Sequence, residues 1–146
     1  MKIYNYQIGF LEYPNECSLL LNISGCPNKC KGCHSAYLMD DVGTEISEKY
    51  LMELIEKHDG VTLVGFQGGD AHPYLINYFA EYIKKNTNLK VGWYSGKSYL
   101  DSNINLSNFD YIKLGPYIEE LGGLDNEKTN QALYKIENIT EMFRKK

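Results

Sequence analysis

Four short apolar runs, each closing on polar or glycine-rich residues, constrain the fold of this chain more than any other feature. They are SLLLNIS (18–24), VTLVGFQ (61–67), KVGWYS (90–95) and DYIKLG (110–115). Each has the length of a buried strand and is bounded by turn residues. Helical patterns lie between them. Ser47 can cap a helix in which Tyr50, Leu51, Leu54, Ile55 and His58 share a face, and Gly60 ends it. Pro73 opens a second helix with Leu75, Ile76, Phe79, Tyr82 and Ile83 on one stripe. A last helix is predicted with Leu133, Ile136, Ile139, Met142 and Phe143 facing inward. Strands alternating with helices imply an α/β fold with a mainly parallel sheet. Ligand groups then gather at the carboxyl ends of the strands. The loops that follow the four runs are the 25–35 segment, Gly68–Asp70, Ser95–Lys97 and Gly115–Tyr117, and they are expected on one rim.

A chain of 146 residues is expected to form one domain over 1–146, with a core that needs no covalent staples. Its net charge of −4 and pI near 5.4 speak against a nucleic-acid or anionic-membrane surface. No apolar run reaches the ~18 residues of a spanning helix. The start, MKIYNYQIGFLEYPNE, lacks the uninterrupted apolar stretch of a signal peptide. The expected compartment is the cytoplasm, where clustered cysteines more often bind metal than pair with one another.

Three of the four cysteines fall in GCPNKCKGCHS (25–35): Cys26, Cys30 and Cys33. A C-x-x-x-C-x-x-C loop supplies three soft thiolates, suited to an iron–sulfur cluster or to zinc. Closed structural sites complete a set of four ligands. Cys17 stands at the far end of the first strand, roughly 23 Å away at ~3.3 Å per residue, and reads as a small buried hydrophobe. His34 adjoins Cys33 too closely to complete a tetrahedron easily. The triplet is therefore either an open three-thiolate site or a structural zinc site closed by His34 or Cys17.

The spacing Cys26, Cys30, Cys33, on a loop after the first core strand, resembles the hallmark of radical S-adenosylmethionine (SAM) enzymes. Gly68-Gly69-Asp70, about 35 residues after Cys33, is similar to the glycine-rich acidic motif that follows a later strand in that superfamily. More narrowly, the chain resembles the activating proteins of anaerobic ribonucleoside-triphosphate reductases in SGCPNKCKGCHS (24–35), GGDAHP (68–73), YSG (94–96) and GPYIEELGGLDNEKTNQ (115–131). It departs from them in several places. Two residues are missing between Asp70 and His72, Leu114 replaces an acidic residue, and Glu16 stands where an arginine is usual. GLDNEKTNQ is also longer and more charged than its counterpart.

The resemblance implies an incomplete TIM-like barrel of mainly parallel strands, too few to close, with a lateral opening for a protein substrate. It implies a 4Fe–4S cluster held by Cys26, Cys30 and Cys33, one iron being left for the amino and carboxylate groups of SAM. Reductive cleavage of SAM would then lead to abstraction of a hydrogen from a glycine on the large subunit of the anaerobic reductase. The electron would come from an external donor such as flavodoxin or ferredoxin. On this reading Gly68 and Gly69 let the backbone approach SAM, and Asp70 accepts hydrogen bonds from its ammonium group. Gly32 and His34 contact the nucleoside, Ser95 bonds the methionyl carboxylate, and Asn130 and Gln131, opening the last helix, face the partner. The other readings are a radical SAM enzyme with a different target and a non-catalytic metal-binding module.

Overall fold

A computed structural model of the chain describes residues 1–24, 43–97, 99–115 and 132–136. Its strands are β1 (Lys2–Gly9), β2 (Ser18–Ile23), β3 (Thr44–Glu45), β4 (Leu63–Gln67), β5 (Lys90–Tyr94), β6 (Tyr111–Leu114) and β7 (Ala132–Lys135). They form one sheet in the order β3–β1–β2–β4–β5–β6–β7. The four central strands, β2, β4, β5 and β6, run parallel. Both flanks are antiparallel: β1 against β2, β3 against β1, and β7 against β6.

This corrects the barrel expectation. Among the described residues, strands and helices alternate only where α1 (Glu48–Lys57) leads into β4 and α2 (Pro73–Asn86) leads into β5. Those are the only two α-helices among the described residues. The described residues between β5 and β6 contain a 3₁₀ turn, Leu106–Asn108, in place of a crossover helix. At either side an antiparallel strand returns along the sheet instead of extending the parallel series. The result is a mixed seven-stranded sheet, not a partial TIM-like barrel.

The last predicted helix is also corrected. Leu133 and Ile136 have helical spacing, but Ala132–Lys135 pairs residue by residue with β6, Leu133 opposite Lys113 and Tyr134 opposite Ile112. The remainder of that prediction, including Ile139, Met142 and Phe143, lies outside the described residues. β1 was not among the expected strands.

The two expected helices begin where their capping chemistry places them. The Ser47 side chain accepts a hydrogen bond from the Tyr50 amide at 3.1 Å, and Glu48 sits in the first turn beside the positive end of the helix dipole. Pro73 occupies the start of α2, where its missing N–H costs nothing. Both helices pack on one face of the sheet. Leu51, Leu54 and Ile55 of α1, with Ile76, Phe79 and Ile83 of α2, cover Leu19, Leu21, Val64, Phe66, Val91, Trp93 and Ile112. No helix among the described residues is long and apolar enough to cross a membrane.

The period of two turns the alternate residues to the opposite face, where the described chain places no helix. Here Leu20, Leu63 and Tyr111 pack around Tyr13, which is fully buried. The segment carrying Tyr13 is pinned to this face. Tyr94 donates its hydroxyl to the Glu12 carbonyl, Tyr111 to that of Pro14, and Tyr13 to Gln67 Oε1. Buried Glu16 finishes the attachment, accepting from Thr62 Oγ1 and from Lys90 Nζ, each at 2.7 Å. Glu16 thus has a structural task where the resembled family has an arginine. Glu16→Ala removes the acceptor of both donors and is expected to lower stability by about 1–3 kcal/mol in urea denaturation. A change below about 0.5 kcal/mol would show that the segment holds without it.

Candidate functional site

Because β2, β4, β5 and β6 are parallel, their carboxyl ends share one edge of the sheet. Ser24, Gly68, Ser95 and Gly115 follow these strands directly. The loops are joined there by backbone bonds. Gly68 N donates to Tyr94 O at 3.0 Å, Ser95 N to Lys113 O at 2.9 Å and Gly115 N to Lys97 O at 2.6 Å.

The Gly68-Gly69 turn has two separate reasons to be glycine. Both residues take positive φ, 104° and 90°, a region costly for side chains with a Cβ. A Cβ on Gly68 would also lie 3.1 Å from the Ile23 carbonyl oxygen, and one on Gly69 would lie 2.6 Å from Ile76 Cδ1. The turn therefore nests against the last residue of β2 on one side and against α2 on the other. Its carbonyls are occupied within the protein: Trp93 Nε1 donates to Gly68 O at 2.6 Å and His72 N to Gly69 O at 2.9 Å.

Asp70 is buried and turns toward the loop after β5. Oδ1 accepts from Ser95 Oγ at 2.6 Å and Oδ2 from the Gly96 amide at 2.7 Å. Ser95 is buried too, and its oxygen accepts from the Lys97 amide at 3.1 Å. A serine hydroxyl carries one hydrogen, and in this structure Ser95 directs it at Asp70. Four of the residues singled out in the sequence, Gly68, Gly69, Asp70 and Ser95, thus come together at one place on the rim.

The others lie outside the described residues: Cys26, Cys30, Cys33, Gly32 and His34 between β2 and β3 in sequence, and Asn130 and Gln131 before β7. The described chain does fix where the cysteine segment starts. Ile23, the last residue of β2, touches Gly68, and Cys26 follows three positions later. Cys17 is half-buried just before β2. The six residues of that strand, about 20 Å at ~3.3 Å each, separate it from the rim. Among the described residues no three His, Cys, Asp or Glu side chains are grouped to hold a metal ion.

Beneath the rim, on the face without described helices, sequence reasoning missed a row of polar residues. Register places Asn5 beside Asn22, Asn22 beside Gln67, Gln67 beside Tyr94, and Tyr94 beside Lys113, across five adjacent strands. Asn22 Nδ2 donates to Asn5 Oδ1 at 2.6 Å, and Lys113 Nζ lies 5.5 Å from the centre of the Tyr94 ring while donating to Gly115 O. Burial and the neighbouring Glu12 charge push the Tyr94 phenol far above its usual pKa, so it stays protonated. A signal was present in the sequence. Each central run carries a polar or phenolic residue at its end or within two places of it (Asn22, Gln67, Tyr94, Lys113), at the depth where a parallel sheet meets its ligands. No family model, no curated protein and no solved structure matches the chain.

Proposed function

We propose that the chain is a radical SAM activase that generates a glycyl radical on the large subunit of an anaerobic ribonucleoside-triphosphate reductase. One observation carries the reading. The strand that leads in sequence to Cys26, Cys30 and Cys33 ends at Ile23 against the Gly68-Gly69 turn, on the rim that also carries the Asp70–Ser95 pair. The donor set fits a 4Fe–4S cluster with one iron open to SAM, and Cys26, Cys30 and Cys33 would hold it. When bound, the cluster would supply the electron for reductive cleavage of SAM.

The chain's own residues give the ligand its seat. The Gly68-Gly69 turn fixes the height of the rim, because its carbonyls are already engaged below it. The Asn22–Gln67–Tyr94–Lys113 row would lie beneath it as a polar and aromatic floor. An open sheet serves this chemistry without barrel closure, since the parallel strands alone align the rim. The substrate implied by the resemblance is a polypeptide loop. The electron donor would be external, a flavodoxin or ferredoxin.

A second reading, a non-catalytic metal-binding module, is favoured by one fact. Internal contacts account for Gly68, Gly69 and Asp70 without a ligand. One experiment separates the readings. After anaerobic reconstitution with iron and sulfide, the full chain is expected to be brown and to convert SAM to methionine and 5′-deoxyadenosine on reduction. Added reductase large subunit should then give a glycyl doublet in electron paramagnetic resonance. A colourless protein holding one zinc would leave the module reading standing. SAM cleavage without a doublet would point to another target.

A further inference from the structure

A chain of hydrogen bonds links three of the four rim loops, and it starts at Asp70. The carboxylate takes Ser95 Oγ on one oxygen and the Gly96 amide on the other. Ser95 Oγ passes the constraint to the Lys97 amide, and the Lys97 carbonyl holds the Gly115 amide at the end of β6. We propose that Asp70 is a positioning residue for the ligand rim, acting through Ser95 and Gly96 rather than by contact with the ligand's ammonium group. This rests on the SAM reading above.

Geometry and chemistry both support it. Asp70 and Ser95 are 8% and 1% exposed, so their mutual bond is made in the interior. A charge-assisted O–H···O⁻ bond in such surroundings is short and strong, and the 2.6 Å separation is of that kind. Two inward-turned amides, Gly96 through the carboxylate and Lys97 through the Ser95 hydroxyl, take their conformation from this pair. Without the carboxylate, the buried Ser95 hydroxyl and the half-buried Gly96 amide lose their acceptor, which the loop relieves by moving. Asp70 therefore sets the shape of the loop after β5, and the Lys97–Gly115 bond transmits that shape to β6. Ligand contact falls to the backbone of those loops.

Amide hydrogen exchange and ligand binding test this together. In the full chain, Asp70→Ala is expected to speed exchange at Gly96, Lys97 and Gly115 about tenfold or more, leaving Leu19–Leu21 of β2 unchanged. Asp70→Asn should restore most of the protection, because its oxygen can still take the Gly96 amide while its NH₂ donates to Ser95 Oγ. In the iron–sulfur-reconstituted protein, Asp70→Ala should weaken SAM and its deaminated analogue equally, by about tenfold, the worth of one lost hydrogen bond. Ser95→Ala should act in the same direction and add little in the double variant. Unchanged exchange at Lys97 and Gly115 would overturn the proposal. So would a loss of affinity confined to SAM, which marks direct contact with the ammonium group, or unchanged affinity for both ligands. Wild-type reconstituted protein that binds no SAM would instead refute the function proposed above, and the exchange result would still decide whether Asp70 ties the loops.

Discussion

Gly92→Ala is expected to lose about 3 kcal/mol of stability, the upper end of ordinary overpacking. Gly92 and Gly65 are paired across β5 and β4 and together make a flat trough on the face without described helices. The Tyr13 ring lies in that trough, fully buried. A Cβ on Gly92 would fall 2.3 Å from Tyr13 Cε1, and one on Gly65 would fall 2.7 Å from Cε2. Gly92 has no positive φ, so alanine meets no backbone strain there and the whole cost is the collision. Tyr13 has little freedom to withdraw. Its hydroxyl is held by Gln67, and its ring packs edge-on against Tyr94 with centroids 5.1 Å apart. At ~2–4 °C per kcal/mol for a chain of this size, the midpoint should fall by roughly 6–12 °C. Tyr13→Ala alone should cost ~3–5 kcal/mol through the cavity it leaves. In the double variant the new methyl enters that cavity, so the combined loss should fall well short of the sum. Strict additivity would show that the two sites do not share the trough.

That trough illustrates which parts of the fold were legible in the sequence. The central strands and both helix starts could be read because local signals and tertiary structure agree there: apolar runs with turn residues at their ends, Ser47 as a cap and Pro73 at a first turn. The flanks were illegible for physical reasons. In β1, Tyr6 and Ile8 face the helical side yet remain over a third exposed, so the strand alternates without a clear buried stripe. In β7, a short apolar spacing fits helix or strand equally well, and only pairing with β6 decides it. The barrel expectation failed because sequence carries the direction of a strand only through its connections, and the flanking strands are antiparallel.

The candidate site was legible in part. Gly68-Gly69-Asp70 and Ser95 stand out in the sequence for what they offer a ligand, and the structure brings them together. Their close contacts, however, are internal: with Ile23, Ile76 and Gly96. A motif read in one dimension cannot distinguish a carboxylate aimed outward from one that ties two loops together. The polar row from Asn5 to Lys113 was missed for the related reason that its members are neighbours only across strands.

The same polar floor predicts steep alkaline destabilisation. Burial, aided by the charge on Glu12, raises the pKa of both Tyr13 and Tyr94 far above the usual phenol value, with Tyr13 also repelled by Tyr94. In the unfolded chain these phenols return to about 10. Below pH ~10 both states hold the protons, and the stability conferred by these residues is fully present. Above it the unfolded chain releases two protons that the fold retains, so the unfolded state binds fewer and stability falls as pH rises. Each such phenol contributes about 1.4 kcal/mol per pH unit, or roughly 2.7 for the pair. Lys90 adds a smaller loss in the same direction, because the hydrogen bond and charge of Glu16 raise its pKa and that stabilisation disappears as it deprotonates. Urea denaturation between pH 9 and 12 should therefore show a much steeper fall for wild type than for Tyr13→Phe/Tyr94→Phe. That variant gives up the hydroxyl bonds to Gln67 and Glu12, at ~0.5–1.5 kcal/mol each near neutrality, and should overtake wild type in the alkaline range. Parallel pH profiles for the two proteins would mean that these phenols ionise in the folded chain as freely as in water, and that the floor beneath the rim is open to solvent.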